Sequence, residues 1–359
     1  MEFELLPGER LLSPAHPMIQ YTGRIDDEDS AAYGFEFVGT SLHVRMTGGT
    51  LKLCFANRTN YWQSRLGVLV DGQLHAALLP ENGPAVIDLS AFLHEGVNDV
   101  LVFKRQDSSH AFTFHGLILA QDGELLPPPQ RPARRMEVYG DSVSAGECCE
   151  CEDCAGKPDP QHNGEFSNVW WSYSWLTART LGAELHDVAQ GGIALLDGTG
   201  YFNGPDYVGM LSAWDKVRYN PAFGTPKAWD FTRYTPHVVV IAIGQNDSHP
   251  VNVMEQEPAG EAALRWKQHY AAFIRGLRAK YPHATFVLTT TILNHHPAWD
   301  DAIDEVCRQL QQEDSRIHHF LYTNNGSGTP GHIRVSEAKV MAQELSGFIA
   351  SLGEEIWQD

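Results

Sequence analysis

The chain has 359 residues, with 26 Lys and Arg against 45 Asp and Glu, giving a formal charge of -19. That balance repels nucleic acid and anionic membranes and suits a neutral or cationic partner. No stretch approaches the roughly 18 consecutive apolar residues that span a bilayer, so we expect neither a nucleic-acid nor a membrane partner.

In chain order, the opening "MEFELLPGER" has neither a basic start nor an apolar run of signal-peptide length, which predicts a cytoplasmic protein as the chain stands; a trimmed form of a secreted or periplasmic precursor would read the same way. From Gly34 to Leu126 short apolar runs alternate with turn residues, among them "GFEFVG", "SLHVRM", "TLKLCF", "LGVLVDGQL" and "DVLVFKR". No helical repeat is sustained there. Even spacing and the Asp71-Gly72 hairpin signal predict a β-sandwich of jelly-roll type over residues 1–126. The prolines of "PPPQRPARR" predict a stiff linker over residues 127–135.

After it the period changes. Apolar strands such as "MEVYG", "ELHDVA", "HVVVIAIG" and "TFVLTTTI" alternate with amphipathic helices. Tyr270, Phe273, Ile274 and Leu277 recur at helical spacing, as do Met341, Leu345, Phe348, Ile349 and Leu352. Strands that are apolar throughout, separated by helices, predict a doubly wound parallel sheet over residues 136–359, with ligands at the carboxyl ends of its strands. The segment 197–236 breaks the alternation and is rich in glycine and aromatics. A connection of that length is usually functional; Tyr201, Trp214 and Trp229 either stack on a sugar or pack the loop on itself.

Four pieces fall at strand ends. Ser142 follows "MEVYG" directly, and taken alone it is a phosphate loop, a helix N-cap or a nucleophile. No lysine follows in P-loop register. Gly191 and Gly192 end "ELHDVA", where backbone N-H groups can approach a ligand without a side chain in the way. Asn246 ends "HVVVIAIG", followed by Asp247. His332 stands just before the last amphipathic helix. His249, His295 and His296 also follow strands and compete for the role of base; Trp299 in "HHPAWDD" either meets a sugar ring or packs.

Four cysteines crowd into "CCECEDC" as Cys148, Cys149, Cys151 and Cys154. A metal site, a disulfide and reduced thiols are the alternatives, the last favoured where no secretion signal is seen. No metal ion or cofactor is expected in the reaction.

Together, strand-Gly-Asp-Ser, strand-Gly-Gly, strand-Gly-x-Asn-Asp and the late histidine resemble the four blocks of the SGNH (GDSL-type) hydrolases. With a sandwich in front, the arrangement is similar to carbohydrate esterase family 2, whose members remove acetyl groups from plant polysaccharides. The resemblance implies a carboxylic ester hydrolase acting on acetylated xylan, glucomannan or their oligosaccharides through an acetyl-serine. It makes Ser142 the nucleophile and His332 the base, with an oxyanion hole from the N-H of Ser142, the N-H of Gly192 (Gly191 as alternative) and the Asn246 side chain. Asp141, Tyr201, Trp214, Trp229, His249 and Trp299 are the substrate-binding candidates. Many hydrolases of this fold carry an aspartate three residues before the histidine, and here Thr329 stands there. The resemblance then implies a Ser-His dyad, the ring held through Nδ1-H by a main-chain carbonyl of Thr329–Gly331. The alternatives are a lipase or thioesterase of the same fold, and a glycan-binding protein with an inactive hydrolase half.

Overall fold

The computed structural model describes residues 2–358. Its first third is two antiparallel sheets laid face to face. In one, the strands run in the order Ile25–Asp26, Tyr33–Phe35, His110–Ala120, Leu51–Thr59 and Asn82–Asp88, with Glu9–Leu12 also on His110–Ala120. In the other the order is Leu125–Leu126, Ser41–Met46, Asn98–Lys104, Arg65–Val70 and Gln73–Leu78, with Gln20–Thr22 on Ser41–Met46. Alternate side chains of both sheets, such as Leu53, Phe55, Phe112 and Phe114 against Val44, Val68, Val100 and Val102, share one core. The Asp71-Gly72 signal makes a hairpin, both residues at positive φ (51° and 80°), as a tight turn between twisted strands requires.

A second core surrounds a parallel sheet of five strands in the order Ala183–Ala189, Arg134–Gly140, Val238–Ala242, Thr285–Thr289, Ile317–His319. The first of these in the chain begins at Arg134, so the extended connector passes straight into the sheet. Successive residues point to opposite faces. Tyr139, Val239 and Ile241 pack with helices Glu261–Lys280 and Ala298–Leu310, and Val138, Val238 and Val240 pack with Tyr173–Leu181 and Val335–Ser351. The strand order reverses between Arg134–Gly140 and its two neighbours, which opens a crevice at their carboxyl ends. No helix of the described residues is long and apolar enough to cross a membrane.

Residues 197–236 form short pieces: a helical turn at Met210–Ala213 and a two-stranded ribbon of Lys216–Arg218 with Lys227–Ala228. This segment lies between the two cores. Tyr219 stacks on Phe37 with ring centres 4.4 Å apart, and Glu36 accepts hydrogen bonds from the N-H groups of Tyr219 and Asn220.

Candidate active site

At Gly140 the first parallel strand stops and turns sharply. Asp141 caps the one-turn helix Ser142–Ala145, its Oδ1 accepting from the N-H of Val143 at 3.0 Å. Ser142 is thereby fixed at the rim of a cleft of ≈ 650 Å³, which Gly191, Gly192, Asn246, Tyr201, Glu147, Asp159 and His332 also line. The sequence blocks, far apart in the chain, thus converge on one crevice at the switch point of the sheet. A larger hollow of ≈ 900 Å³ lies at the opposite ends of the strands, beside Arg135, His186 and His237. It holds neither Ser142 nor His332.

The three donors expected for an oxyanion hole are unequally available. The N-H groups of Ser142 and Gly192 have no partner among the described residues, whereas that of Gly191 donates to Asp107 at 2.8 Å. Gly192 sits at φ 72°, and a Cβ there would come within 2.9 Å of Tyr201 Cβ. The Asn246 amide donates to Asp141 Oδ2 and to the carbonyl of Ile193, both at 3.1 Å.

His332 differs from expectation in what holds it. Its Nδ1 meets a carboxylate oxygen of Asp159, not a main-chain carbonyl, in a very short contact. The other Asp159 oxygen accepts from the His332 N-H at 3.0 Å and from Arg334 at 2.6 Å. The carbonyl of Thr329 is already taken by the N-H of Asn294 at 3.1 Å. The expected backbone-held dyad is therefore corrected: an acid from a distant loop stands where the dyad left a gap. Gly331 makes the approach possible, since a Cβ on it would lie 2.6 Å from the carbonyl of Lys157 and 2.9 Å from the N-H nitrogen of Asp159.

The charges follow from this geometry. Burial disfavours the imidazolium of His332, but Glu147, Asp159 and Asp141 overcome it and raise the ring to about 9. Asp159 is driven the other way, below the ordinary carboxylate range, because its hydrogen bonds from His332 and Arg334 outweigh its burial. Glu147 lies with an oxygen 3.8 Å from His332 Nε2, and burial pushes its carboxyl up to about 7.

The other candidates divide. Tyr201 is in the cleft, its ring stacked on His249 at 4.3 Å. His249 is bound by Nδ1 to the carbonyl of Gly200 at 2.7 Å and backs Tyr201 from behind. Asp141 is fully buried and braces Gln245 and Asn246, so it does not meet substrate. Trp299 is fully buried, donating to Asn252 at 2.9 Å. Trp214 packs on Phe231 and Phe273, and Trp229 lines the hollow at the far side of the sheet. These three tryptophans are corrected to packing residues, because each ring fills space between elements and none lines the crevice. His295 is tied to Leu293 and Asp300 and is not a free base.

Asp159 is the residue that sequence reasoning missed. It lies in "KPDPQH", where two prolines hold it extended, yet nothing in that pattern points to a partner 173 residues away. Its loop includes the cysteine cluster. All six cysteines are free thiols, and among the described residues no group of three or more His, Cys, Asp or Glu side chains is arranged to hold a metal ion. The carbonyls of Cys148 and Cys149 accept from Arg334 and from the N-H of Val335, which stitches this loop to the segment carrying His332.

Residues 21–129 match the family model described as carbohydrate esterase 2 N-terminal. A curated relative, the acetylxylan esterase / glucomannan deacetylase of Cellvibrio japonicus, is 26% identical over 95% of this chain and 91% of its own. The solved structure of a family two carbohydrate esterase from the same organism superposes with a TM-score of 0.78 at 25% identity, covering 97% of this chain and 98% of that one. A family two enzyme from Clostridium thermocellum, solved with cellohexaose, has the same TM-score at 22% identity over 95% of this chain and 100% of its own. The family 2 resemblance read from the sequence blocks is borne out, and the expected class, a carboxylic ester hydrolase, is that of these relatives.

Proposed function

We propose that the protein is a serine esterase that removes O-acetyl groups from sugars, with acetylated xylan, glucomannan and their oligosaccharides as the substrate class. The observation that carries this reading is the convergence of Ser142 and His332 in one cleft, with an acid on the far side of the ring. Ser142 Oγ attacks the acetyl carbonyl while His332 Nε2 takes its proton. The Ser142 and Gly192 N-H groups receive the oxyanion, and Asn246 joins them by releasing one of its present acceptors. The tetrahedral intermediate collapses, the sugar oxygen leaves with the proton from His332, and acetyl-serine remains. Water, deprotonated by the same imidazole, attacks the acyl carbon; the second intermediate expels Ser142 Oγ, which recovers the proton, and acetate leaves. Asp159 holds the ring in the tautomer with Nδ1-H and stabilises the imidazolium.

We further take residues 1–126 and 136–359 as two structural units that share this one site. The cleft's Asn60, Tyr61, Trp62, Tyr201 and Asn203 favour a sugar over a long acyl chain, because they pair ring faces with hydrogen-bonding groups. The test is hydrolysis of 4-nitrophenyl acetate and acetylated xylo-oligosaccharides, combined with mass spectrometry after a serine-directed organophosphorus reagent. We expect activity on both esters, label on the Ser142 peptide, and loss of both in Ser142→Ala. A protein inert on acetyl esters, or labelled elsewhere, refutes the reading; faster turnover of octanoyl than acetyl esters favours a lipase.

A further inference from the structure

The loop Arg105–Ser109, between the sandwich strands Asn98–Lys104 and His110–Ala120, is buried over its whole length. Irregular backbone in such a place must have its polar groups paired. Buried Lys104 donates to the carbonyls of Gln106 and Asp107, which fixes the loop from within. Asp107 Oδ1 accepts from the N-H of Ser109 at 2.9 Å. Its Oδ2 is turned towards the parallel sheet, where it accepts from the N-H of Gly191 at 2.8 Å, Gln190 Nε2 at 2.7 Å and the Tyr61 hydroxyl at 2.9 Å.

Those contacts grip the peptide that precedes the free N-H of Gly192. Gln190 Nε2 also donates to the carbonyl of Gly191 at 3.0 Å. A trans peptide is planar, so holding that carbonyl sets the direction of the Gly192 N-H on its other side. Gln190 is clamped in turn, its Oε1 accepting from the Ser108 N-H at 3.2 Å and the Tyr219 hydroxyl at 2.7 Å. On the far side of the peptide the carbonyl of Gly192 accepts from the N-H groups of Tyr201 and Phe202 at 2.7 and 3.2 Å.

We propose that Asp107, carried by the sandwich, is a positioning residue that aims the Gly192 N-H at the oxyanion. The amino-terminal sheets then build part of the active site and are more than an appended module. This rests on the esterase reading above.

Wild type, Asp107→Asn and Gln190→Met are compared on 4-nitrophenyl acetate, with rates taken per site titrated by an organophosphorus reagent. Both variants are near in size to the native side chain. Displacing one preorganised donor predicts a kcat lower by about tenfold to a hundredfold with KM within about twofold. The affinity for a boronic acid, whose tetrahedral serine adduct carries the oxyanion's shape, falls by the same factor as kcat/KM. A variant that is merely less well folded loses titratable sites but not turnover per site. Where Asp107→Asn gives no folded protein, Gln190→Met alone decides, since it removes the link between Asp107 and the Gly191 carbonyl. Turnover per site within twofold of wild type in a folded variant, with boronic acid affinity unchanged, overturns the proposal while leaving the esterase reading intact. An inert wild type removes both.

Discussion

In the proposed mechanism His332 must be neutral to take a proton from Ser142, and three carboxylates around it favour the charged ring. With the imidazole raised to about 9, kcat/KM is expected to climb with pH along a limb near that value. Asp159→Asn deletes a negative neighbour and a hydrogen bond to the charged form, so the limb moves to lower pH. Plateau turnover falls at the same time by about a hundredfold or more, since the imidazolium of the transition state loses its partner. Thr329→Ala, by contrast, leaves the profile where it was. A pH-rate series on 4-nitrophenyl acetate reads all three, and an unmoved limb in Asp159→Asn removes Asp159 from the mechanism. Stability follows the same linkage. The raised histidine contributes stability fully below its ordinary value of about 6.5, lost as pH rises through about 9. The lowered Asp159 contributes above the ordinary carboxylate range and is lost as pH falls towards its depressed value.

Among elements, the strand-to-helix turn after Arg134–Gly140 is the most constrained. A Cβ on Gly140 would lie 2.0 Å from Ser144 Oγ, which is itself bonded to the Tyr173 hydroxyl at 2.8 Å. Gly140→Ala therefore has to push away the helix that carries Ser142. Overpacking of this kind costs roughly 1–3 kcal/mol, and we expect that loss in denaturant unfolding together with a fall in kcat. Wild-type stability and turnover in Gly140→Ala count against so tight a turn. The same turn shows what can be read from a sequence. Ser142, Gly191, Gly192 and Asn246 follow apolar strands within a few residues, and His332 precedes a helix of clear period, so a parallel sheet alone brings them to one edge. Asp159 has no such element to place it: its loop has no period, and its contacts with His332 and Arg334 exist only in three dimensions. Trp214, Trp229 and Trp299 misled for a related reason. An aromatic in an aperiodic segment looks like a ligand platform until neighbours from other elements are seen to cover it, as Phe273 from Glu261–Lys280 covers Trp214.

At the scale of the whole molecule, the two cores are joined by a buried ion pair. Arg24, beside the sandwich strand Ile25–Asp26, is 1% exposed and bonds at 2.9 Å to Glu137, which is fully buried in the strand Arg134–Gly140 of the parallel sheet. The guanidinium also reaches the Tyr139 hydroxyl at 2.8 Å and the carbonyl of Lys216 at 3.1 Å, and Tyr139 donates to the second Glu137 oxygen at 2.7 Å. Both terminal nitrogens of Arg24 and both Glu137 oxygens are paired, and the aromatic rings of Phe37, Tyr139, Trp229 and Phe231 surround the cation at 5.3–5.7 Å. Removing one partner strands a charge where water cannot reach it. Breaking a buried pair in this way costs about 3–5 kcal/mol, whereas replacing both partners by apolar groups is often close to neutral. Arg24→Met and Glu137→Met should each lose roughly that amount in denaturant unfolding, and the double variant should lose less than the sum of the two. The cost should appear as one shifted transition, since both cores lose an anchor together. Single variants that lose under about 1 kcal/mol, well short of what a broken buried pair costs, or losses that simply add, leave the pair as a local contact with no part in holding the sandwich against the parallel sheet.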